Sequence, residues 1–186
     1  MDKKRQNIWN VPNVLTMLRA ALIPVFLILY YSSMQYRALF VFLLASATDL
    51  LDGYIARKYN LITNFGKLMD PLADKLMVIS VLFVQTLSGI LPPAAVIIVV
   101  AKELIMVLGG IYMLKKGIVV YSELVGKAAQ FLFIAAIALS FFHNDFISAG
   151  YLQWDMLLLW ISIGLTLLAL AFYTRRALDK LRAVKQ

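Results

Sequence analysis

Four aspartates interrupt hydrophobic runs that have the length and character of membrane-spanning segments. They lie within one 26-residue stretch, 49–74, which reads DLLDGYIARKYNLITNFGKLMDPLAD and holds four of the chain's ten acidic residues. A carboxylate at membrane depth costs about 2.5–3.5 kcal/mol on insertion scales, so four together need a partner that balances their charge. This requirement constrains the fold more than any other feature of the sequence.

The spacing of the four acids indicates a shared site. Asp49 and Asp52 are three residues apart and Asp70 and Asp74 are four apart, so on helices each pair shares one face. A connection of about ten residues between the two helices would let the pairs face each other. Carboxylate oxygens suit Mg²⁺, Mn²⁺ or Ca²⁺. A carboxylate site with two such ions can bridge and polarise phosphoryl oxygens, and we expect one or two divalent ions here.

Composition places the chain in a membrane. Apolar residues make up 62% of the 186 and the mean hydropathy is +0.83, whereas soluble domains are roughly 45–50% apolar. The length suits a single domain covering residues 1–186. The absence of cysteine excludes disulfides and thiolate metal sites. The net charge of +8 comes from basic residues that flank hydrophobic runs, which favours anionic lipid headgroups over nucleic acid.

Hydropathy predicts an all-α membrane protein with six transmembrane helices, a polar cavity that faces the cytoplasm and a short interfacial segment at the N-terminus. Each predicted helix is near the roughly 20 residues that a bilayer requires. The predicted helices are Asn13–Tyr31, Arg37–Tyr54, Lys67–Ser88, Pro93–Met113, Ser122–Phe142 and Trp154–Tyr173.

The distribution of lysine and arginine predicts the orientation. Alternate connections and both ends of the chain are basic, while the connections between them carry only Arg37 and the acidic Asp145. Because cytoplasmic loops carry the excess of Lys and Arg, we expect both termini and the acidic stretch on the cytoplasmic side of the cell membrane.

Two motifs resemble a known family. The acidic stretch resembles the signature of the CDP-alcohol phosphotransferase family, D-x2-D-G-x2-A-R-x8-G-x3-D-x3-D. Its fixed positions are all present, as Asp49, Asp52, Gly53, Ala56, Arg57, Gly66, Asp70 and Asp74. Upstream, residues 10–19 read NVPNVLTMLR and resemble the P-N-x-L-T-x-x-R opening of the family's phosphatidyltransferase branch. Asn13, Thr16 and Arg19 form one polar stripe there; the alternative is a helix cap at Asn13 and an Arg19 that extends to the membrane surface.

The resemblance implies a reaction and roles for residues. An alcohol would displace CMP at the β-phosphorus of CDP-diacylglycerol, and the enzyme would be a homodimer. Metal would be held by Asp49, Asp52 and Asp70, with Asp74 completing a second ion site and acting as catalytic base. The residues implied in binding CDP-diacylglycerol are Asn13, Thr16, Arg19, Gly53, Ala56, Arg57 and Thr63.

The acceptor alcohol is predicted to be glycerol 3-phosphate, with Lys67, Lys102 and Lys127 as binding residues. The branch that uses it usually has Arg-Glu in the middle of the fourth helix and two lysines on the fifth. This chain has Lys102-Glu103 in the fourth helix and a single lysine, Lys127, on the fifth. Phosphatidylglycerol, a diester that needs fewer cations, is therefore the alternative acceptor. Lys102 with Glu103, and Glu123 with Lys127, can also be simple polar pairs.

Two other readings are disfavoured. Intramembrane carboxylates also occur along the ion paths of divalent-cation transporters, but here they share one membrane face with interleaved basic residues. A phosphohistidine intermediate is disfavoured because the single histidine, His143, falls in a loop predicted on the opposite face.

Overall fold

The protein is all-helical throughout the part that is described here. A computed structural model describes residues 10–59, 63–116 and 124–185, and no β-strand occurs in these ranges. The helices, in order, are α1 Val11–Tyr31, α2 Gln35–Lys58, α3 Asn64–Leu87, α4 Pro93–Lys115, α5 Leu124–Ser140, α6 His143–Ser148 and α7 Trp154–Lys185. The interfacial segment predicted at the N-terminus falls in residues 1–9, outside these ranges.

Four helices contain segments that are long and apolar enough to cross a membrane. The segments are Val11–Tyr31, Gln35–Ala56, Pro93–Met113 and Trp154–Leu181. The prediction of a multi-pass all-α membrane protein is thus confirmed, whereas six spans are not. The apolar part of α5, Gly126–Ser140, is shorter than a full span. In α3, charged residues crowd the first half of the helix, which leaves a shorter apolar part.

The chain divides into two compact units, residues 1–85 and 86–186. In the first, α1 packs along α2, and α3 contributes its length up to Gln85. In the second, α5 and α4 both pack against α7. Many large apolar side chains, such as Phe40, Ile97 and Phe131, remain exposed on the helices, as expected for surfaces that contact lipid.

Asn10 determines where α1 begins. Its side-chain Oδ1 accepts a hydrogen bond from the backbone N–H of Asn13 at 2.9 Å, which satisfies one of the unpaired N–H groups of the first turn. Pro12 occupies the first turn, where it has no intrahelical hydrogen bond to lose. The predicted start at Asn13 was therefore two residues late, and the cap is Asn10 rather than Asn13.

The connection between α2 and α3 is shorter than the predicted ten residues. Because α2 continues to Lys58 and α3 begins at Asn64, only residues 59–63 separate them. Asp52 and Asp70 consequently lie well inside their helices rather than at the ends. An aspartate held inside a helix has a fixed backbone, so its carboxylate direction depends only on side-chain torsions.

A buried histidine–aspartate pair connects α6 to α7 in the second unit. His143 is the first residue of the short helix α6, where a loop was predicted. Nδ1 of His143 donates to Oδ2 of Asp155 at 2.7 Å, and Asp155 is fully buried in the first turn of α7. The other oxygen of Asp155 has no hydrogen bond within the described ranges. His143 is thus the group that stabilises this carboxylate.

Removing the histidine should destabilise the second unit. We expect His143→Leu to lower the free energy of unfolding by about 3 kcal/mol, because it leaves Asp155 buried without its partner. Thermal unfolding in detergent measures the loss. Asn144→Ala, one residue away and exposed, is the matched control and should change stability by about 0.5 kcal/mol or less. Equal stability of the two variants would contradict this role.

Candidate active site

Arg19 lies at the centre of the acidic cluster. It occupies the middle of α1 with only 1% of its side chain exposed. Its Nη1 is 2.8 Å from Oδ1 of Asp49, and its Nη2 bonds to Oδ2 of Asp52. Nη1 also lies 3.5 Å from the backbone oxygen of Asp70. One guanidinium therefore connects the three helices that carry the predicted site.

Thr16, one turn before Arg19, holds the third carboxylate. Its hydroxyl hydrogen-bonds to Oδ1 of Asp70, with the backbone oxygen of Pro12 as a second acceptor at 3.1 Å. Thr16 is as buried as Arg19. Together the two side chains place Asp70 beside the pair from α2.

Asn13, the first residue of the polar stripe, fixes the start of α3. Thr63 donates a hydrogen bond from its hydroxyl to Oδ1 of Asn13 at 3.0 Å, and it accepts one from the backbone N–H of Gly66, also at 3.0 Å. Gly66 has no room for a side chain, because a Cβ there would lie 2.7 Å from Oδ1 of Asn13 and 3.2 Å from Oγ1 of Thr63. The first turn of α3 is thus held directly against α1.

The four predicted metal ligands differ in exposure. Asp52 is 3% exposed and Asp49 about one third exposed, while Asp70 and Asp74 are half-buried. The structure brings the carboxylates of Asp49 and Asp52 onto Arg19 and that of Asp70 onto the neighbouring Thr16. Asp74 follows Asp70 by one turn of α3, which keeps it on the same helix face.

The cluster fits divalent cations in donor type and in charge. Within the described ranges no three Asp, Glu or His side chains form a ready-made metal-binding group, and Arg19 lies among the carboxylates. However, Arg19 and Thr16 contact only one oxygen each of Asp49, Asp52 and Asp70. Three carboxylates and one guanidinium leave two negative charges in excess, and carboxylate oxygens are the donors that Mg²⁺ and Mn²⁺ prefer.

Gly53 and Ala56 extend the acidic face of α2 toward its C-terminus. Gly53 lies four residues after Asp49 and Ala56 four after Asp52, so each small residue follows an acid on the same side of the helix. Small residues there leave space for a ligand to approach the backbone. The side chains of Arg57 and Lys67 lie outside the described part of the structure.

The remaining predicted acceptor lysines belong to the second unit. Lys102 in α4 pairs with the neighbouring Glu103, as the simpler interpretation of that dipeptide predicted. Lys127 is exposed in α5. Glu123, its predicted partner, lies outside the described residues. The acidic cluster itself is built entirely from the first unit.

Sequence reasoning missed the partners of Arg19. The alternative that Arg19 extends to the membrane surface is wrong, because the side chain is buried. A signal was present: an arginine deep in an apolar helix requires an acidic partner, and few acids other than those of the motif lie in predicted spans. The contact of Gly66 with Asn13 had no comparable signal.

Comparison with known proteins identifies the family. The sequence profile described as CDP-alcohol phosphatidyltransferase matches residues 9–168, which include the polar stripe and all four aspartates.

Similar proteins cover most of the chain. A Bacillus subtilis (strain 168) protein named CDP-diacylglycerol--glycerol-3-phosphate 3-phosphatidyltransferase is 32% identical over 87% of this chain and 91% of its own. A Rickettsia felis protein of the same name is 35% identical over 86% and 90%. A Mycobacterium tuberculosis protein named probable phosphatidylglycerophosphate synthase is 34% identical over 73% and 67%.

Adding one methyl group at Gly66 should disturb the site. We expect Gly66→Ala to cost about 1–3 kcal/mol of stability, since the new Cβ overlaps Oδ1 of Asn13 and must displace a buried side chain that accepts from Thr63. Thermal unfolding measures this loss. Gly164→Ala in α7 is the control, because no atom lies within 4 Å of its added Cβ. A Gly66→Ala protein as stable as the Gly164→Ala protein would contradict the close approach.

Proposed function

The chain belongs to the CDP-alcohol phosphatidyltransferase family, and we propose that it transfers the phosphatidyl group of CDP-diacylglycerol to glycerol 3-phosphate. The products are phosphatidylglycerophosphate and CMP. The observation that carries the proposal is the cluster of Asp49, Asp52 and Asp70 around Arg19 and Thr16, in a chain whose relatives over most of its length are named for this reaction.

The proposed reaction is a displacement at phosphorus. The acceptor hydroxyl oxygen forms a bond to the β-phosphorus of CDP-diacylglycerol, and the bond from that phosphorus to the oxygen of CMP breaks. CMP leaves with the bonding electrons. Asp74 takes the hydroxyl proton, a role supported by its position one turn beyond Asp70 on the same face of α3. Such transfers depend mainly on positioning and on neutralising charge.

We further propose that Asp49, Asp52, Asp70 and Asp74 hold one or two Mg²⁺ or Mn²⁺ ions. Bound ions of this kind neutralise and polarise phosphoryl oxygens. The protein's own part is to hold the carboxylates in place on α2 and α3, the helices that carry them. The excess negative charge of the cluster supports this assignment.

The donor and the acceptor meet different groups in this proposal. Gly53, Ala56 and Arg57 serve the nucleotide, since they follow the acids along α2. Lys127 binds the phosphate of the acceptor, because it is exposed whereas Lys102 is paired with Glu103. The pairing of Lys102 leaves fewer cations for a phosphomonoester. For that reason phosphatidylglycerol, which carries a diester, is the second candidate acceptor.

The orientation is proposed from charge. Both termini and the acidic cluster face the cytoplasm of the cell membrane in a polar cavity, because Lys and Arg concentrate at that end of the helices. The family resemblance also leads us to propose a homodimer. A monomeric mass in nanodiscs would contradict the dimer.

Chelation tests the metal. CMP release from CDP-diacylglycerol and glycerol 3-phosphate should stop in EDTA and return when Mg²⁺ or Mn²⁺ is added in excess, because four clustered carboxylates would otherwise repel the phosphates of the donor. Full activity after thorough chelation would rule out the metal site.

Two measurements test the acceptor: the kinetics of a lysine variant and the identity of the lipid product. We expect Lys127→Ala to raise the KM for glycerol 3-phosphate about ten-fold, since one charge-assisted contact to phosphate contributes roughly 1.5–3 kcal/mol. The KM for CDP-diacylglycerol should not change. Lys116→Ala, which removes another exposed lysine, is the control. Cardiolipin formed from phosphatidylglycerol, without phosphatidylglycerophosphate from glycerol 3-phosphate, would identify the other acceptor.

Cysteine labelling tests the orientation. The chain has no cysteine, so single introduced thiols give no background. A membrane-impermeant maleimide added to intact cells should label Asn144→Cys, which is exposed in α6, and should not label Lys116→Cys, just after the end of α4. The reverse pattern would invert the proposed topology.

A further inference from the structure

Arg19 is the one charged group of the cluster that the proposed reaction leaves without a task. The resemblance implies that it binds the donor, yet its side chain is 1% exposed and both of its Nη atoms contact the protein. Its Nε is buried and has no hydrogen-bond partner in the described ranges. A guanidinium enclosed in this way offers a ligand little access.

The contacts of Arg19 match the shape of its planar fork. Nη1 and Nη2 contact Asp49 and Asp52, which are three residues apart on one face of α2. Nη1 also approaches the backbone oxygen of Asp70 in α3. A lysine ammonium is a single point charge on a flexible stem and does not reproduce two fixed N–H directions.

These contacts divide the oxygens of each carboxylate. Arg19 engages Oδ1 of Asp49 and Oδ2 of Asp52, and Thr16 engages Oδ1 of Asp70. The second oxygen of each group stays outside these contacts. A side chain that binds one oxygen of a carboxylate orients the other, as the hydrogen-bond partners of metal ligands do in many proteins.

We propose that Arg19 is a positioning residue for the cation site. Its guanidinium stays on Asp49 and Asp52 when a divalent ion binds, and it turns the other oxygen of each carboxylate toward the ion. The inference rests on the proposed function only in that a divalent cation binds to these carboxylates. This role differs from two others that Arg19 could have. It could contact the donor, or it could supply a temporary positive charge that the ion displaces.

The three roles predict different effects of an Arg19 substitution on cation affinity. Loss of a displaced positive charge would strengthen cation binding, because a competitor is removed. Loss of a positioning group weakens it, typically by 10–100-fold for partners of metal ligands. Loss of a donor contact would raise the KM for CDP-diacylglycerol and leave cation affinity unchanged.

The experiment measures Mn²⁺ binding directly. The free Mn²⁺ signal in electron paramagnetic resonance gives the dissociation constant for the full-length protein in detergent, for Arg19→Gln and for Arg19→Lys. Arg37→Gln is the control, because Arg37 is exposed on α2 and its guanidinium donates to the sulfur of Met34, away from the acids. Thermal unfolding in EDTA reports whether each variant folds, and CMP release at saturating Mn²⁺ gives the KM for CDP-diacylglycerol.

We expect both Arg19 variants to bind Mn²⁺ at least about ten-fold more weakly, with lysine giving no rescue and with the KM for CDP-diacylglycerol unchanged. Tighter or unchanged Mn²⁺ binding, or rescue by lysine, would overturn the proposal. A change confined to the KM would assign Arg19 to the donor instead.

A second variant covers the case in which Arg19 substitutions prevent folding. Thr16→Val removes the hydroxyl that holds Asp70 and leaves the charges intact, so it should weaken Mn²⁺ binding several-fold, and unchanged binding would contradict the positioning mechanism. Wild-type protein that binds no Mn²⁺ and releases CMP in EDTA would overturn the metal site and this inference together. Wild-type protein that binds Mn²⁺ but forms no CMP would contradict the proposed function alone.

Discussion

The ion pairing of Arg19 with Asp49 and Asp52 is the interaction on which the site depends. A buried charge is costly, and removing one partner of a buried pair leaves the other uncompensated at a cost of about 3–5 kcal/mol. Here one guanidinium meets two carboxylates from α2 and the backbone of α3. Charges that would otherwise be expensive among apolar helices become the contacts that hold those helices together.

The uncharged polar residues extend this arrangement along α1. Asn13 and Thr16 bond to Thr63 and Asp70, just before α3 and within it, whereas Arg19 also reaches the acids of α2. Gly66 lets the start of α3 approach Asn13 more closely than any larger residue would. The result is a site whose carboxylates are oriented by neighbouring side chains, which is what positioning of phosphoryl oxygens requires.

The same contacts bear on alternative functions. A fixed guanidinium among the acids opposes the passage of cations, which argues against a transport path through the cluster. Under the proposed function it has a different effect, because the remaining negative charge would still attract divalent ions while the carboxylates keep their places. Under the proposed function, the apolar exterior of the helices lets the acyl chains of the donor stay in the bilayer while its diphosphate reaches the acids.

Local features of the sequence determined the all-α membrane class and the family motif, because hydropathy and spacing are properties of neighbouring residues. The tertiary structure decided which groups meet. The partners of Arg19, the contact of Gly66 with Asn13 and the pairing of His143 with Asp155 all depend on how helices rotate and slide against each other. That arrangement is set by packing between segments distant in the chain, and the spacing of residues along one helix does not specify it.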